Sequence, residues 1–386
     1  MTVKPFQIDS KLPNMGTTIF TVMSKLAQEH QALNLAQGFP DFPCDSALVE
    51  RVSFYLQQGK NQYAPMPGIL PLREKLSRKT EELYGATYDP ETEITITCGA
   101  TEACFVAITA LVQSGDEVLI FEPAFDVYLP AILMCGGVPV YTSLKAPDYS
   151  INWDDVISKL TSRTKLIILN TPHNPTGAVI SSADIIALTE IIEQYPDVYI
   201  LSDEVYEHLV FDGKRHESLS RYPKLKERSL VICSLGKTFH VTGWRMGYCL
   251  APRYLSTEFR KVHQYVTFSA TTPMQFAIND FLDSKEKYLE LPEFFQKKRD
   301  LFLSLLKKSR WEILPSEGTY FQLLGYKQIS DEADLAFAER LTKEKGIASI
   351  PVSVFYHQRT DLKVLRFCFA KEEETLIQAA NILCRI

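Results

Sequence analysis

From Ile94 to Ala251 short apolar runs alternate with helical stretches, and this alternation limits what the chain can become more than any other feature. "EITIT" is followed by "TEACFVAITALVQ", and "EVLIF" by "VYLPAILMCGG" and "VPVYTSL". "KLIILN" and "VYILSD" bracket the amphipathic "SSADIIALTEIIEQY", and "SLVICS" and "GYCLA" close the series. Repeated strand, helix, strand units predict an α/β fold whose mostly parallel central sheet is covered by helices on both faces. Such sheets gather ligands at the carboxyl ends of their strands. After Pro252 the pattern turns helical through about Lys308. A mixed segment begins at Trp311, with strands expected in "TYFQLL", "IASIPV" and "VLRFCFA" and helices in "DLAFAERLTKE" and the last residues. At 386 residues the chain exceeds what one core usually supports. The expected division is a large domain over 41–289 and a smaller α+β domain built from 1–40 and 290–386.

Composition narrows the partners. A formal charge of -6 gives no basic surface for nucleic acid or an anionic membrane. A small molecule is the expected ligand. The opening "MTVKPFQIDSKLP" lacks a basic patch followed by an apolar core, so no leader is read there and a cytoplasmic setting is expected. No apolar run approaches the roughly 20 residues that span a bilayer. The eight cysteines have neither the close spacing of a zinc site nor the density of a disulfide framework, and are read as reduced thiols. The seven histidines show no metal-ligand spacing either, so no metal is expected.

The stretch "SLGKTFHVTGWRMGY", Ser234 to Tyr248, contains a Gly-Lys-Thr that invites comparison with a phosphate-binding loop. That loop requires a glycine five residues before Gly236, and the residue there is Val231. Lys237 needs another reading. It follows the apolar "SLVICS", which places it near a strand end where burial lowers an ammonium pKa. If the strands are parallel, Asp203 after "YILS", Asn174 after "KLIILN", and Gly99, Ala100 and Thr101 after "TIT" converge with it on one sheet edge. Gly99, Ala100 and Thr101 lie between a strand and a helix start, where free backbone amides favour a phosphate, and Arg245 adds a guanidinium. A lysine, an aspartate and a phosphate cradle are the parts that pyridoxal phosphate requires: an amine for its aldehyde, a carboxylate for its ring nitrogen, a seat for its phosphate. On this reading Lys237 makes a covalent bond, and Ser234 and Arg245 hold the phosphate.

The motifs "NLAQGFPDFP", "NQYAPMPG", "TCGATEA", "NTPHNPTG", "LSDEVYEHLVF", "SLGKTFHVTGWRMGY", "EGTYF" and "LRFCFAKEE" extend over nearly the whole chain. In that order they resemble the class I/II pyridoxal-phosphate aminotransferases of the aspartate aminotransferase fold, most closely the methionine and kynurenine–oxoglutarate aminotransferase branch. The resemblance implies the type I fold of pyridoxal-phosphate-dependent transferases and a cofactor bound by Lys237, with Asp203 on the ring nitrogen. It further implies Asn174 and Tyr206 on the ring's phenolic oxygen and Phe125 stacked on the ring. Tyr63 would reach the phosphate of a neighbouring subunit, making a homodimer with shared active sites. Arg366 would pair with the substrate α-carboxylate beside Gly38, and Phe20 would stand at the substrate mouth.

Blander roles compete with each assignment. Asp203 suits a helix cap, Arg366 a structural ion pair, and Phe125, Tyr63 and Phe20 ordinary core or turn positions. His240 stands where the kynurenine branch often has a small residue, which would alter the cofactor's surroundings. The implied activity is transfer of the α-amino group of methionine, aromatic or related amino acids to a 2-oxo acid, because no second arginine for an acidic side chain is identifiable. A carbon–sulfur β-lyase acting on cysteine conjugates is the alternative on the same scaffold. A cofactor-sensing regulator would need a DNA-binding module, for which the roughly 40 residues before the first fold motif are too few and not basic enough. A non-catalytic binding protein is disfavoured by Lys237 and Arg366.

Overall fold

The computed structural model of the chain describes residues 8–386, so the first seven residues of the leader search and of the 1–40 segment lie outside it. Seven strands form the main sheet: β1 (Ile94–Thr97), β2 (Glu117–Glu122), β3 (Val138–Ser143), β4 (Thr164–Asn170), β5 (Tyr199–Asp203), β6 (Ser229–Cys233) and β7 (Gly247–Leu250). Their order is β1-β7-β6-β5-β4-β2-β3, and only β7 runs against its neighbours.

The expected alternation is the cause of this sheet. Successive side chains on a strand point to opposite faces, and here both faces are covered. On β6, Val231 and Cys233 enter one core while Leu230 and Ile232 enter the other; on β4, Ile167 and Leu169 are separated in the same way from Leu166 and Ile168. That is why the strands read as continuous apolar runs rather than as alternating ones. Helices Ala100–Leu111, Tyr128–Met134 and Arg253–Val266 cover the second of these faces. Asp203 lies two residues beyond Leu201 and therefore points towards that face.

A second, antiparallel sheet contains β8 (Glu312–Ile313), β9 (Phe321–Gly325), β10 (Ile350–Pro351) and β11 (Val364–Cys368) in the order β10-β11-β9-β8. "IASIPV" was expected to be one strand. Instead Ile347–Ala348 pairs in parallel with Leu33–Asn34, and Ile350–Pro351 pairs with β11, so neighbouring dipeptides serve two sheets. The first pairing stitches an amino-terminal segment to the carboxyl-terminal part of the fold. The helix expected over "DLAFAERLTKE" is α-helical for Asp334–Arg340 and continues as a wider π turn over Leu341–Lys345. Among the described residues no helix is long and apolar enough to cross a membrane.

Candidate active site

The parallel strands of the main sheet end on one side, and their ends build a cavity. β1 leads into Gly99, whose φ of +80° belongs to the left-handed region that glycine tolerates best. A Cβ there would lie 2.7 Å from Arg245 Nη2, so the glycine makes room for the guanidinium. Helix Ala100–Leu111 starts at that point, with first-turn amides that have no intrahelical acceptor. Arg245 donates to the Thr242 carbonyl at 3.1 Å and to Thr101 Oγ1 at 3.4 Å. Among the described residues it has no carboxylate within ion-pair distance, which leaves its charge available to an anion.

β6 leads into Ser234, whose hydroxyl accepts the Lys237 N–H at 3.1 Å and caps the short helix Leu235–Thr238. This cap sets the direction of Lys237. Its Nζ donates to the Gly38 carbonyl at 2.9 Å and to the Tyr320 hydroxyl at 2.8 Å, and Tyr320 itself donates to the same carbonyl at 2.5 Å. Burial lowers the ammonium pKa to about 8; the charges of Arg366 and Arg245 push the same way, and Asp203 opposes them. An amine in that state is protonated for binding yet close to neutral for proton transfer near physiological pH. Gly38 is also required to be small, because a Cβ would meet the Phe321 ring at 2.7 Å.

Asp203 closes β5 and is 4% exposed. Its Oδ2 accepts from the Tyr128 hydroxyl at 2.5 Å, and Oδ1 receives only a long contact from the Val205 amide at 3.4 Å. The segment after it is a turn rather than a helix, so a helix-capping role does not apply. Burial raises its carboxyl pKa to about 6, against the pull of Tyr128 and Lys237. Asn170, at the end of β4, braces the neighbouring backbone by donating to the Asp203 carbonyl at 2.8 Å and accepting from the Asn174 amide at 2.7 Å.

Arg366 lies on β11 and is 1% exposed, yet no carboxylate pairs with it among the described residues. Nη1 donates to Asn174 Oδ1 at 2.7 Å and Nη2 to the Ala36 carbonyl at 2.9 Å, while Nε is buried without a partner. The structural ion pair considered from sequence is therefore not what holds it. Rings surround the guanidinium instead, with Phe321 at 3.9 Å and Phe20 at 5.0 Å from its carbon. A buried cation with unused donors is an anion site.

Gly38, Ala100, Thr101, Phe125, Asn174, Asp203, Tyr206, Ser234, Lys237, Arg245, Arg366 and Phe20 all line one cavity of about 240 Å³. Clefts of about 500 and 620 Å³ exist elsewhere, so it is the collected chemistry, not the size, that singles this one out. Gly99 stands directly behind the wall, against Arg245. Tyr63 is the expected residue that the fold does not bring to this chain's own cavity: it is 83% exposed and touches Phe268 edge-on at 5.3 Å. The expectation for His240 is corrected. It packs among Phe42, Phe294 and Phe295 at ring distances of 5.1, 6.1 and 5.4 Å and is not on the cavity wall, because the backbone turns at φ +57° and carries the side chain into that aromatic nest. Tyr128, Tyr320 and Asn170 were missed, although "EGTYF" contains Tyr320 and "EPAFDVY" contains Tyr128.

The donor set fits pyridoxal phosphate. An amine without a counter-ion, a buried carboxylate with one lightly used oxygen, and a glycine-lined cradle beside an unpaired arginine are its three requirements. Comparison with known proteins agrees with this geometry. The chain is 50% identical to the methionine aminotransferase of Escherichia coli over 99% of each chain, and 36% identical to human kynurenine–oxoglutarate transaminase 1 over 91% of this chain and 92% of that one. Among solved structures, YbdL from Escherichia coli, for which a methionine aminotransferase function is identified, superposes with a TM-score of 0.96 at 49% identity, covering 99% of this chain and 100% of its own. The α/β fold with a mostly parallel sheet is thus the type I fold expected from the resemblance. With the profile described as aminotransferase class I and II matching residues 30–383, the cavity and the sequence lead to one conclusion: the chain belongs to the class I and II aminotransferase family.

Proposed function

We propose that this aminotransferase moves the α-amino group of methionine, aromatic or related amino acids to a 2-oxo acid, using pyridoxal 5′-phosphate. The observation that carries the proposal is one cavity wall holding a half-buried Lys237 and a buried Arg366, neither paired with a carboxylate. When bound, the cofactor supplies an aldehyde that bonds an amine and a protonated ring that withdraws electrons from the attached carbon.

The chain's residues divide the remaining work. Lys237 Nζ would hold the cofactor, and the same amine would serve as the base for the proton on the substrate Cα. Asp203, whose Oδ1 is the less used oxygen, would hold the proton of the ring nitrogen. Because Asn174 Oδ1 accepts from Arg366, its NH₂ end is the one available to the phenolic oxygen, beside the Tyr206 hydroxyl. Gly99, Ala100, Thr101, Ser234 and Arg245 seat the phosphate, and Phe125 covers the ring face and excludes water. Arg366 would orient the α-carboxylate and so fix where the substrate Cα lies in the cavity. The cations on this wall are Lys237, Arg245 and Arg366, all engaged in these roles, and the surroundings of Arg366 are aromatic. An uncharged donor side chain follows, in agreement with the methionine and kynurenine relatives. No observation favours the β-lyase alternative over transfer.

The division into 41–289 and 1–40 with 290–386 belongs to the same proposal, supported by the two separate sheets and by the Leu33–Asn34 pairing. So does the homodimer: Tyr63, Tyr265 and Phe268 are 83%, 87% and 45% exposed, an aromatic surface suited to a second copy whose Tyr63 would reach this chain's Arg245. The cysteines are free thiols, in keeping with a cytoplasmic setting.

A panel of amino donors, each mixed with cofactor-loaded protein and followed by the absorbance change of the amino-transfer half-reaction, tests the reading. Fast half-reactions with methionine and phenylalanine and slow ones with aspartate are expected; the reverse order overturns the substrate class. Arg366→Met should lower kcat/KM for methionine by about 10²- to 10³-fold, on the scale of losing a buried charge-assisted pair (~2–5 kcal/mol). Amines lacking the carboxylate should react as with the wild type, which separates carboxylate binding from general damage. Gly99→Ala should weaken cofactor binding by about tenfold, the scale of one hydrogen bond to a charged group, measured as the cofactor Kd of the apoprotein.

A further inference from the structure

The carboxylate expected to face the cofactor ring is held by a residue that no motif singles out. Tyr128 is 2% exposed and heads the helix Tyr128–Met134; its hydroxyl donates to Asp203 Oδ2 at 2.5 Å. Cys104 Sγ, from helix Ala100–Leu111, approaches the same oxygen at 3.9 Å. Oδ1 has only the 3.4 Å contact with the Val205 amide. A carboxylate offers about four acceptor positions, so Oδ2 is committed to Tyr128 while Oδ1 retains capacity. The same tyrosine stands edge-on to Phe125, with ring centroids 5.9 Å apart. One side chain therefore touches both the residue expected at the ring's edge and the one expected on its face.

We infer that Tyr128 is a positioning residue for amino transfer: its hydroxyl fixes the plane of the Asp203 carboxylate, keeps that group ionised, and leaves Oδ1 for the protonated ring nitrogen. The inference rests on the cofactor reading of the cavity. The groups facing Asp203 are Tyr128 and Cys104 from two of the covering helices, Glu204 beside it in the chain, and Lys237 from the neighbouring strand end. Burial raises the carboxyl to about 6 and the Glu204 charge adds to the rise, while Tyr128, the Val205 amide and Lys237 oppose it. Burial and the Asp203 charge also push the Tyr128 phenol well above its usual value, so it remains protonated and remains a donor. Any hydroxyl that donates to a carboxylate favours its ionised form, so a tyrosine present only to fill the core would shift when Asp203 takes a proton but would leave the acid limb of kcat and kcat itself unchanged. This difference is measurable.

Tyr128→Phe keeps the ring against Phe125 and removes one donor. In the apoprotein, the carboxyl stretch assigned to Asp203 by its loss in Asp203→Asn reports protonation by infrared difference spectroscopy. Its midpoint should rise by about one pH unit in Tyr128→Phe. In the loaded enzyme the acid limb of kcat should rise with it and kcat near pH 8 should fall about tenfold. KM for methionine should change little, because Arg366 is untouched. Replacement of Tyr128 by 3-fluorotyrosine, a stronger donor of nearly the same shape, should move both midpoints downwards, and it provides the test even if the phenylalanine variant folds poorly. An apoprotein midpoint that ignores both replacements overturns the inference, as does a shifted midpoint with an unchanged acid limb and kcat. Failure of the wild type to transfer an amino group at all overturns the functional reading instead, and shows before any variant is made.

Discussion

Lys237→Ala is expected to lower turnover with methionine by about 10⁵-fold or more, the scale seen when a covalent nucleophile that also serves as the base is removed. On the proposed reading the same Nζ would both hold the cofactor and move the substrate proton, and no second group on the cavity wall would replace it. The guanidinium groups of Arg245 and Arg366 offer no acceptor for a proton, and Tyr320 is a phenol that burial pushes well above its ordinary pKa. The fold should tolerate the change, because the bond between the Tyr320 hydroxyl and the Gly38 carbonyl persists without the amine. Stability gives an independent readout. The folded pKa of about 8 lies below the unfolded value of 10.5, so burial penalises the charged amine below about pH 8, and the penalty fades as pH rises from there towards 10.5. Denaturant unfolding of the apoproteins should show Lys237→Ala more stable at pH 7, with the difference shrinking by pH 10. Borohydride should no longer fix cofactor to the chain at this position. Turnover near the wild-type rate would remove Lys237 from the mechanism.

How this lysine could be read from sequence, and Tyr320 could not, is a matter of range. Strands β4, β5 and β6 are short apolar runs bounded by turns, and parallel pairing places all their ends on one side; Asp203, Ser234 and Lys237 are therefore legible from local pattern alone. Asn174 and Gly99 follow from the same rule. Tyr320 reaches Lys237 across 83 residues of sequence, and Tyr128 reaches Asp203 across 75. No periodicity predicts such contacts, because they depend on how the second sheet and the covering helices settle on the first. The split of "IASIPV" has a similar origin. Its residues are strand formers throughout, and only the tertiary arrangement assigns one dipeptide to Leu33–Asn34 and the next to β11. His240 is a related case: the resemblance marked it as a departure from a small residue, but only the fold shows that its ring lies among Phe42 and Phe295 and off the cavity wall.

Asp203→Asn should cost turnover on the order of 10³-fold, the scale of removing one preorganised electrostatic group from a buried site. The amide keeps an oxygen for the Tyr128 hydroxyl, so the packing around it is retained and only the negative charge is lost. On the proposed reading, that charge is what would keep the ring nitrogen protonated, and without it Lys237 would act as base with less electron withdrawal to assist it. The pH dependence carries the same signature. In the wild type, Asp203 must be ionised; its pKa of about 6 belongs to the empty cavity, and a protonated ring nitrogen beside it would lower that value, so activity should fall only below about pH 6, and the variant should lack this acid limb. Stability should change in the opposite direction to activity. The folded pKa lies above the ordinary 3.8, so the buried charge penalises the apoprotein fold above about pH 6, and the penalty disappears as pH falls towards 4. A shift of that size corresponds to roughly 2–3 kcal/mol. The asparagine variant should therefore unfold at higher denaturant than the wild-type apoprotein at pH 8, with the two converging near pH 4. A residue kept at the expense of the fold's own stability is what a catalytic carboxylate is expected to be, and equal stabilities at pH 8 with full activity in the variant would make Asp203 an ordinary strand-end residue.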